Sequence, residues 1–325
     1  LNKIYITRKL PEAALAKIKQ HCDVSIWDEE DTAVPREVLQ EQLKDADGLL
    51  CLLTERIDEQ LLEAAPNLKV ISNMAVGYNN IDVEAATKRG IAVTNTPGVL
   101  TETTADLTFA LMLATSRRLI EASDYLRQGQ WKTWSPMQLT GQDIYGATLG
   151  IIGMGRIGES VAKRAKGFDM ELLYYNRSRK LEAEKTYGMT YADMDTLLSQ
   201  SDFIVVLTPY SPETVNLIDR EQFARMKHTA VLINTARGGI VNEDALYDAL
   251  TGGRIWAAGL DVFETEPLQP SHRLLKLPNV VAMPHIGSAS IKTRTRMAML
   301  AAENLILGVS GTRPLHLVNP EINLF

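Results

Sequence analysis

Cysteine is nearly missing from this chain of 325 residues, which holds only Cys22 and Cys51. Neither has a neighbour at metal-ligand spacing, and each sits in or beside an apolar run. That argues against a disulfide-stapled scaffold or a structural metal site, and suits a reducing compartment. Long apolar stretches are missing too, since none approaches the roughly 18 residues needed to span a bilayer. The opening LNKIYITRKL reads as a strand with charged ends, without the apolar core and small-residue cleavage site of a signal peptide. The expectation is a soluble, cytoplasmic protein with no membrane partner. A basic stripe is equally lacking: the 34 Lys and Arg are scattered among 40 Asp and Glu, for a formal charge of −6, so nucleic acid is not an expected partner. Internal repeats and low-complexity tracts are not seen.

What is present is an ordinary globular composition, with 45% hydrophobic and 23% charged residues. Single cores seldom grow past roughly 250–300 residues, so two domains are expected. Short apolar runs at Ile4–Thr7, Val24–Trp27, Gly48–Leu53, Val70–Met74 and Ile91–Val93 alternate with helical patterns such as Pro11–Lys19 and Val38–Leu43. This is the signature of βα units on parallel sheets covered on both faces. After Asn95-Thr96-Pro97-Gly98 comes one long helical run, Val99 to about Leu126, with Leu107, Ala110, Leu111 and Ala114 at helical spacing. A Trp-rich loop follows, Gly129 to Gly146. A second α/β series then opens at Thr148–Ile152 and continues with strands at Leu172–Tyr175, Phe203–Leu207, Ala230–Ile233, Ala257–Leu260 and Val280–Ala282. The final helix, about Ala289 to Leu307, is apolar enough to pack back on the first domain. The expected fold is therefore α/β, with two Rossmann-like or flavodoxin-like parallel-sheet domains: a discontinuous substrate domain, 1–98 plus 288–325, and a dinucleotide-binding domain, 99–287.

Gly153-Met154-Gly155-Arg156-Ile157-Gly158 follows a strand and opens a helix, the context that makes a glycine pattern a dinucleotide-binding fingerprint. The first glycine permits the tight turn, the second lets backbone amides reach the pyrophosphate, and the third brings helix and strand close. The next strand ends in Tyr175-Asn176-Arg177-Ser178-Arg179. No carboxylate stands there for a ribose 2′-hydroxyl, whereas Arg177, Ser178 and Arg179, with Asn176, suit a 2′-phosphate. The expected cofactor is NADP, with NADPH preferred to NADH.

Asn234-Thr235-Ala236-Arg237-Gly238-Gly239 puts Arg237 at the carboxyl end of a strand, where α/β sheets bind ligands. Its planar fork suits the carboxylate and carbonyl oxygen of a 2-keto acid together. With Gly259-Leu260-Asp261-Val262-Phe263-Glu264-Thr265-Glu266-Pro267 and Met283-Pro284-His285-Ile286-Gly287-Ser288, the sequence resembles the D-isomer-specific 2-hydroxyacid dehydrogenase family over nearly its whole length. The resemblance implies that Arg237, Glu266 and His285 form the active site, with no metal. His285 would donate the proton to the oxyanion that hydride transfer leaves, and a carboxylate on its far ring nitrogen would orient the imidazole and favour its charged form. Glu264 could compete for that place, but the family pattern favours the glutamate directly before Pro267.

The same resemblance implies that backbone amides of Val76 and Gly77 hold the substrate carboxylate, and that Ser288 lies at the substrate. It places Thr104, Pro209, Thr235, Ala236, Asp261 and Gly287 at the cofactor; the other reading of Asp261 is a buried structural carboxylate. The run Gly48–Thr54 is similar to the glyoxylate/hydroxypyruvate reductase branch, which includes bacterial 2-ketogluconate reductases; Leu53 would then face the substrate. Trp131 and Trp134 also resemble that branch, where a partner subunit's tryptophan shapes the pocket, and Trp134 is a specificity candidate. A homodimer is expected, because the segment 99–146 is too apolar for a free surface. The alternatives are a phosphoglycerate-dehydrogenase-like enzyme, disfavoured because the chain has no room for the regulatory domain many of those carry, and a non-enzymatic nucleotide-sensing corepressor or scaffold, disfavoured because no docking extension is visible.

Overall fold

Strands that are apolar on both faces can be buried only if helices cross over both sides of the sheet, and that requirement organises both halves of the chain. In the computed structural model, which describes residues 1–322, the polypeptide divides into two units: Leu1–Leu100 with the chain from Ala289 onward, and Thr101–Ser288. The first unit runs β1 (Asn2–Ile6), α1 (Glu12–Lys19), β2 (Cys22–Ile26), α2 (Arg36–Leu43), β3 (Gly48–Cys51), α3 (Glu59–Glu63), β4 (Val70–Asn73), α4 (Val83–Lys88) and β5 (Ala92–Thr94). Its strands form a parallel sheet of order β2-β1-β3-β4-β5. Asp58 and Asp82 start α3 and α4 by accepting the amides of Leu61 and Ala85, which would otherwise lack partners.

The second unit runs α5 (Thr101–Ser116), α6 (Leu119–Arg127), β6 (Thr148–Ile152), α7 (Arg156–Ala165), β7 (Glu171–Tyr175), α8 (Leu181–Tyr187), β8 (Thr190–Tyr191), α9 (Met194–Gln200), β9 (Phe203–Val206), α10 (Arg220–Arg225), β10 (Val231–Asn234), α11 (Glu243–Thr251), β11 (Ala257–Leu260) and β12 (Val280–Ala282). Its seven strands are all parallel, in the order β12-β11-β10-β9-β6-β7-β8. The chain builds outward from β6 to β8 and then restarts at β9 on the other side of β6. The switch point, where such sheets take ligands at the carboxyl ends of their strands, is therefore β6/β9.

The last helix, α12 (Ile291–Val309), returns to the first unit and packs on α1, β3 and β4. Small residues let it come close. Ala298, Ala301 and Ala302 are fully buried, and a side chain on Gly48 or Gly308 would run into Val309 or Val70. Ser72 Oγ donates to the Ala301 carbonyl at 2.8 Å. The first unit is thus discontinuous in sequence, and the α/β reading with two parallel sheets holds. No helix among the described residues is long and apolar enough to cross a membrane.

The long helix expected from Val99 to Leu126 is two helices. Ser116 would continue the helix by accepting the amide four residues on, but its carbonyl instead takes the amide of Gln142 at 2.8 Å, and Gly141 packs so close to it that a Cβ would overlap the oxygen. Arg118 then turns through the left-handed region, at φ 54°, before α6 begins. The buried face of α5 also differs from the expected one. Ala110 is exposed, while Thr104, Thr108, Leu111 and Thr115 are buried. Threonine tolerates that position because the Thr108 and Thr115 hydroxyls donate to the carbonyls of Thr104 and Leu111, one turn back.

Candidate active site

The glycine fingerprint begins where β6 ends. Gly153 turns at φ 101°, and a Cβ there would come within 2.6 Å of the Thr208 backbone nitrogen, so only glycine lets the β6 turn meet the chain leaving β9. A Cβ on Gly158 would come 2.5 Å from the Gly153 carbonyl, which seats α7 tightly on the turn. Gly155 is different: nothing lies within 4 Å of its missing Cβ, and α7 begins there without a side-chain cap. An open approach beside uncapped helical amides, at Arg156, Ile157 and Gly158, fits a pyrophosphate. Asn176 connects this turn to the next strand end, accepting the Met154 amide at 3.2 Å and donating to the Ser178 carbonyl at 3.0 Å.

A second cluster gathers residues distant in sequence. The Thr108 hydroxyl bridges the Thr104 carbonyl, at 2.8 Å, and the Thr235 hydroxyl, at 2.7 Å. A Cβ on Gly287 would meet Asp261 Oδ2 at 3.2 Å and Thr104 Cγ2 at 3.5 Å. Thr104, Thr235, Asp261 and Gly287 therefore share one polar neighbourhood. Both Asp261 oxygens accept backbone amides at 2.8 Å, Oδ1 from Ile286 and Oδ2 from Gly287. Burial raises the Asp261 carboxyl above the usual aspartate value, against those two bonds and the charge of His285. Nothing in the sequence marks Thr108, since a threonine inside an apolar helical pattern gives no sign of its contacts. Pro209 stands just beyond β9, its carbonyl accepting the Thr214 hydroxyl at 2.9 Å.

Arg237, Glu266 and His285 converge. Asn234, buried at the end of β10, shapes the arginine turn: its Oδ1 accepts the Ala236 amide at 3.1 Å and its Nδ2 donates to the Arg237 carbonyl at 3.0 Å. The Arg237 side chain donates to the Ala236 carbonyl at 2.7 Å. Burial lowers its pKa, while the facing Glu266 charge works in the opposite direction. Glu266 Oε1 accepts the Phe263 amide at 2.9 Å, and Oε2 lies 2.7 Å from His285 Nδ1. Burial alone would raise the Glu266 carboxyl, but the hydrogen bond and charge of His285, the Phe263 amide and Arg237 together hold it below the usual glutamate value. Glu264 is committed elsewhere, exchanging backbone-to-carboxylate bonds with Glu243. His285 sits at φ 55°, its amide on the Met283 carbonyl at 3.1 Å, with the two following amides anchored by Asp261. Ser288, three residues on, is partly buried.

In the first unit, the loop after β4 has its carbonyls tied down. Asn95 Nδ2 donates to Val76 at 2.8 Å and Asn73 Nδ2 to Gly77 at 3.0 Å. The Val76 and Gly77 amides donate to no protein acceptor among the described residues, as an anion-binding turn requires. Leu53, in the loop after β3, is 36% exposed. Its loop is held by Glu55, a buried carboxylate that accepts the Leu52 amide and the Thr7 and Thr54 hydroxyls.

A sequence model of the "D-isomer specific 2-hydroxyacid dehydrogenase, NAD binding domain" matches residues 109–287. The chain is 52% identical over 322 residues to the glyoxylate reductase of Korarchaeum cryptofilum, covering 98% of this chain and 96% of that one. It belongs to the D-isomer specific 2-hydroxyacid dehydrogenase family. A solved structure from Thermus thermophilus superposes with a TM-score of 0.91 at 44% identity, covering 97% of this chain and 99% of that one. An NADPH-dependent glyoxylate/hydroxypyruvate reductase from Sinorhizobium meliloti does so at 0.82 and 34%, covering 98% of each chain. The dehydrogenase is thus a nicotinamide-dependent oxidoreductase of 2-keto and 2-hydroxy acids, and its glycine cradle fits that cofactor.

Proposed function

We propose that this dehydrogenase reduces a small 2-keto acid, glyoxylate or hydroxypyruvate before 2-ketogluconate, to the D-2-hydroxy acid, and that it prefers NADPH. The observation that carries the reading is the 2.7 Å pairing of His285 Nδ1 with Glu266, whose charge is felt by the partly buried Arg237. A bound reduced nicotinamide would supply a hydride to the keto carbon. Arg237 holds the carboxylate and keto oxygen and stabilises the charge that grows on that oxygen. As the carbonyl π bond breaks, its electron pair moves to the oxygen, which takes the proton from His285 Nε2 and leaves the imidazole neutral. Glu266, bonded to the other ring nitrogen, fixes the ring's orientation. The unpartnered amides of Val76 and Gly77 suit the substrate carboxylate, Leu53 is exposed as a pocket wall would be, and Ser288 follows the histidine loop.

In this reading residues 1–98 plus 288–325 form the substrate domain and 99–287 the cofactor domain. Gly153, Gly155, Arg156, Ile157 and Gly158 take the pyrophosphate; Pro209 borders the adenosine; Thr104, Thr235, Ala236, Asp261 and Gly287 serve the nicotinamide end. The names of the Korarchaeum and Sinorhizobium relatives support the substrate and cofactor assignments. The working form is a homodimer. None of α6 is buried, and Leu119, Leu126, Trp131, Trp134, Met137 and Tyr145 are each more than half exposed, an apolar surface of the kind a second copy covers. Trp134 is the residue through which that copy would shape a pocket.

A spectrophotometric panel of the three keto acids, each with NADPH and NADH, tests the assignment. Turnover is expected with glyoxylate and hydroxypyruvate, with the lower KM for NADPH. A lower KM for NADH would overturn the cofactor preference, and no turnover of any of the three acids would overturn the substrate class.

A further inference from the structure

The loop after β7 carries two arginines, but they are not equivalent. Arg179 is committed: its Nε donates to Glu184 Oε1 at 2.9 Å and its Nη2 to Oε2 at 2.6 Å, a fork-on-fork pair. The Tyr174 hydroxyl donates to the same Oε1 at 2.6 Å and accepts the Lys180 amide at 2.7 Å, so the carboxylate is fixed from a second side. The guanidinium also lies 5.9 Å from the centre of the Tyr191 ring. The Glu184 side chain is only 16% exposed, while that of Arg179 is 58% exposed. Arg179 and Tyr174 hold the Glu184 carboxyl down at about 2, so it is ionised at every working pH. Arg177 has no hydrogen bond or ion pair among the described residues and is exposed; Glu213 feels its charge, without an ion pair.

We propose that Glu184 tunes cofactor specificity by neutralising Arg179, leaving Arg177, with Ser178, as the group that reads a 2′-phosphate. This rests on the NADPH reading above. A 2′-phosphate at the β7 end meets one cation whose charge is unopposed and one already cancelled by a carboxylate five residues on. Removing that carboxylate's charge while keeping its shape turns Arg179 into a second cation for the phosphate. Glu184 therefore weakens NADPH binding without touching the part of the cofactor it shares with NADH. The same enzyme can then accept both cofactors while favouring one. Glu184 acts through Arg179 and Tyr174 and needs no contact with the ligand.

Calorimetric titration of the full chain with adenosine 2′,5′-bisphosphate and with AMP, which lacks only the 2′-phosphate, isolates that group from catalysis. The expected result is that Glu184→Gln tightens the bisphosphate roughly threefold to tenfold, the range for one exposed charge-assisted contact, and leaves AMP within about twofold. Arg177→Ala weakens the bisphosphate more than Arg179→Ala does. Unchanged or weaker bisphosphate binding in Glu184→Gln overturns the proposal, as does an Arg179→Ala loss equal to or larger than that of Arg177→Ala. If Glu184→Gln does not fold, the comparison of the two arginine variants decides alone. Wild-type protein that binds AMP as tightly as the bisphosphate overturns the NADPH reading and this proposal together. A bisphosphate preference that is unmoved by Glu184→Gln overturns only the role of Glu184.

Discussion

Replacing Glu266 by Gln removes one charge from the His285 pair and the acceptor with it: the amide oxygen keeps the Phe263 amide that Oε1 now takes at 2.9 Å, and the NH2 group stands in place of Oε2 opposite Nδ1. The lost bond is charge-assisted, Oε2 to Nδ1 at 2.7 Å. Such bonds are worth about 1.5–3 kcal/mol, and each 1.4 kcal/mol or so is tenfold in rate. The side chains are 24% and 27% exposed, so water screens part of the interaction and the lower end applies. The expected loss in kcat for NADPH-dependent glyoxylate reduction is roughly 10- to 30-fold. His285→Ala alone should lose roughly 10²–10⁴-fold, as for a missing general acid. If Glu266 acts only through the imidazole, adding Glu266→Gln to His285→Ala changes kcat by no more than about threefold, since there is no ring left to orient. KM for the keto acid is followed in the same assay, because Glu266 also faces Arg237. Losses that multiply across the two substitutions would refute the reasoning and give Glu266 a role independent of His285.

Gly238→Ala should be strongly destabilising, because a Cβ there would overlap the Phe263 carbonyl, backbone against backbone. A cost of at least about 2 kcal/mol is expected in denaturant unfolding, with the loop from Phe263 to Glu266 displaced, and a wild-type midpoint would contradict it. Asp261→Asn places an amide group against one of the two backbone donors that now share the carboxylate, one buried and one part-buried, for a loss of about 1–3 kcal/mol and a fall in kcat as the His285 loop loosens. Unchanged melting would show that those amides find other acceptors. Stability should also depend on pH through Glu184. Its carboxyl is lowered from 4.5 to about 2 and Arg179 stays charged throughout, so the pair's contribution is complete above 4.5 and lost as pH falls toward 2. Thermal melts of wild type and Glu184→Gln should differ by a constant amount from neutral pH down to about 5 and converge below 4.5; a gap that widened on acidification would reverse the sign of the argument.

Much of the architecture was legible because it is written locally. A parallel strand buried on both faces has to be apolar throughout, so Thr148–Ile152, Ala257–Leu260 and Val280–Ala282 stand out with their observed limits. A pyrophosphate turn needs its glycines within six residues of one another, and each of Gly153, Gly155 and Gly158 has a separate geometric reason in the structure. What was not legible depends on partners far along the chain. Nothing near Ser116 announces that Gln142 will take its carbonyl, so one helix was expected where there are two. Thr108 and Thr115 look too polar for a buried face until their hydroxyls are seen bonded one turn back.

The same division runs through the site. Arg237 at a strand end and His285 after a proline are single residues in recognisable settings, whereas Glu264 and Glu266 differ in their spatial partners, Glu243 for the first and His285 for the second. Glu184 is the extreme case. Its spacing of five from Arg179 crosses the start of a helix and matches neither helical nor strand periodicity, so no pattern marks it. Yet this residue decides whether two guanidinium groups at the β7 end count as two charges or one. Counting arginines in a phosphate-binding loop is therefore a weaker guide to cofactor preference than finding which of them already has a carboxylate, and the bisphosphate titrations distinguish the two ways of counting.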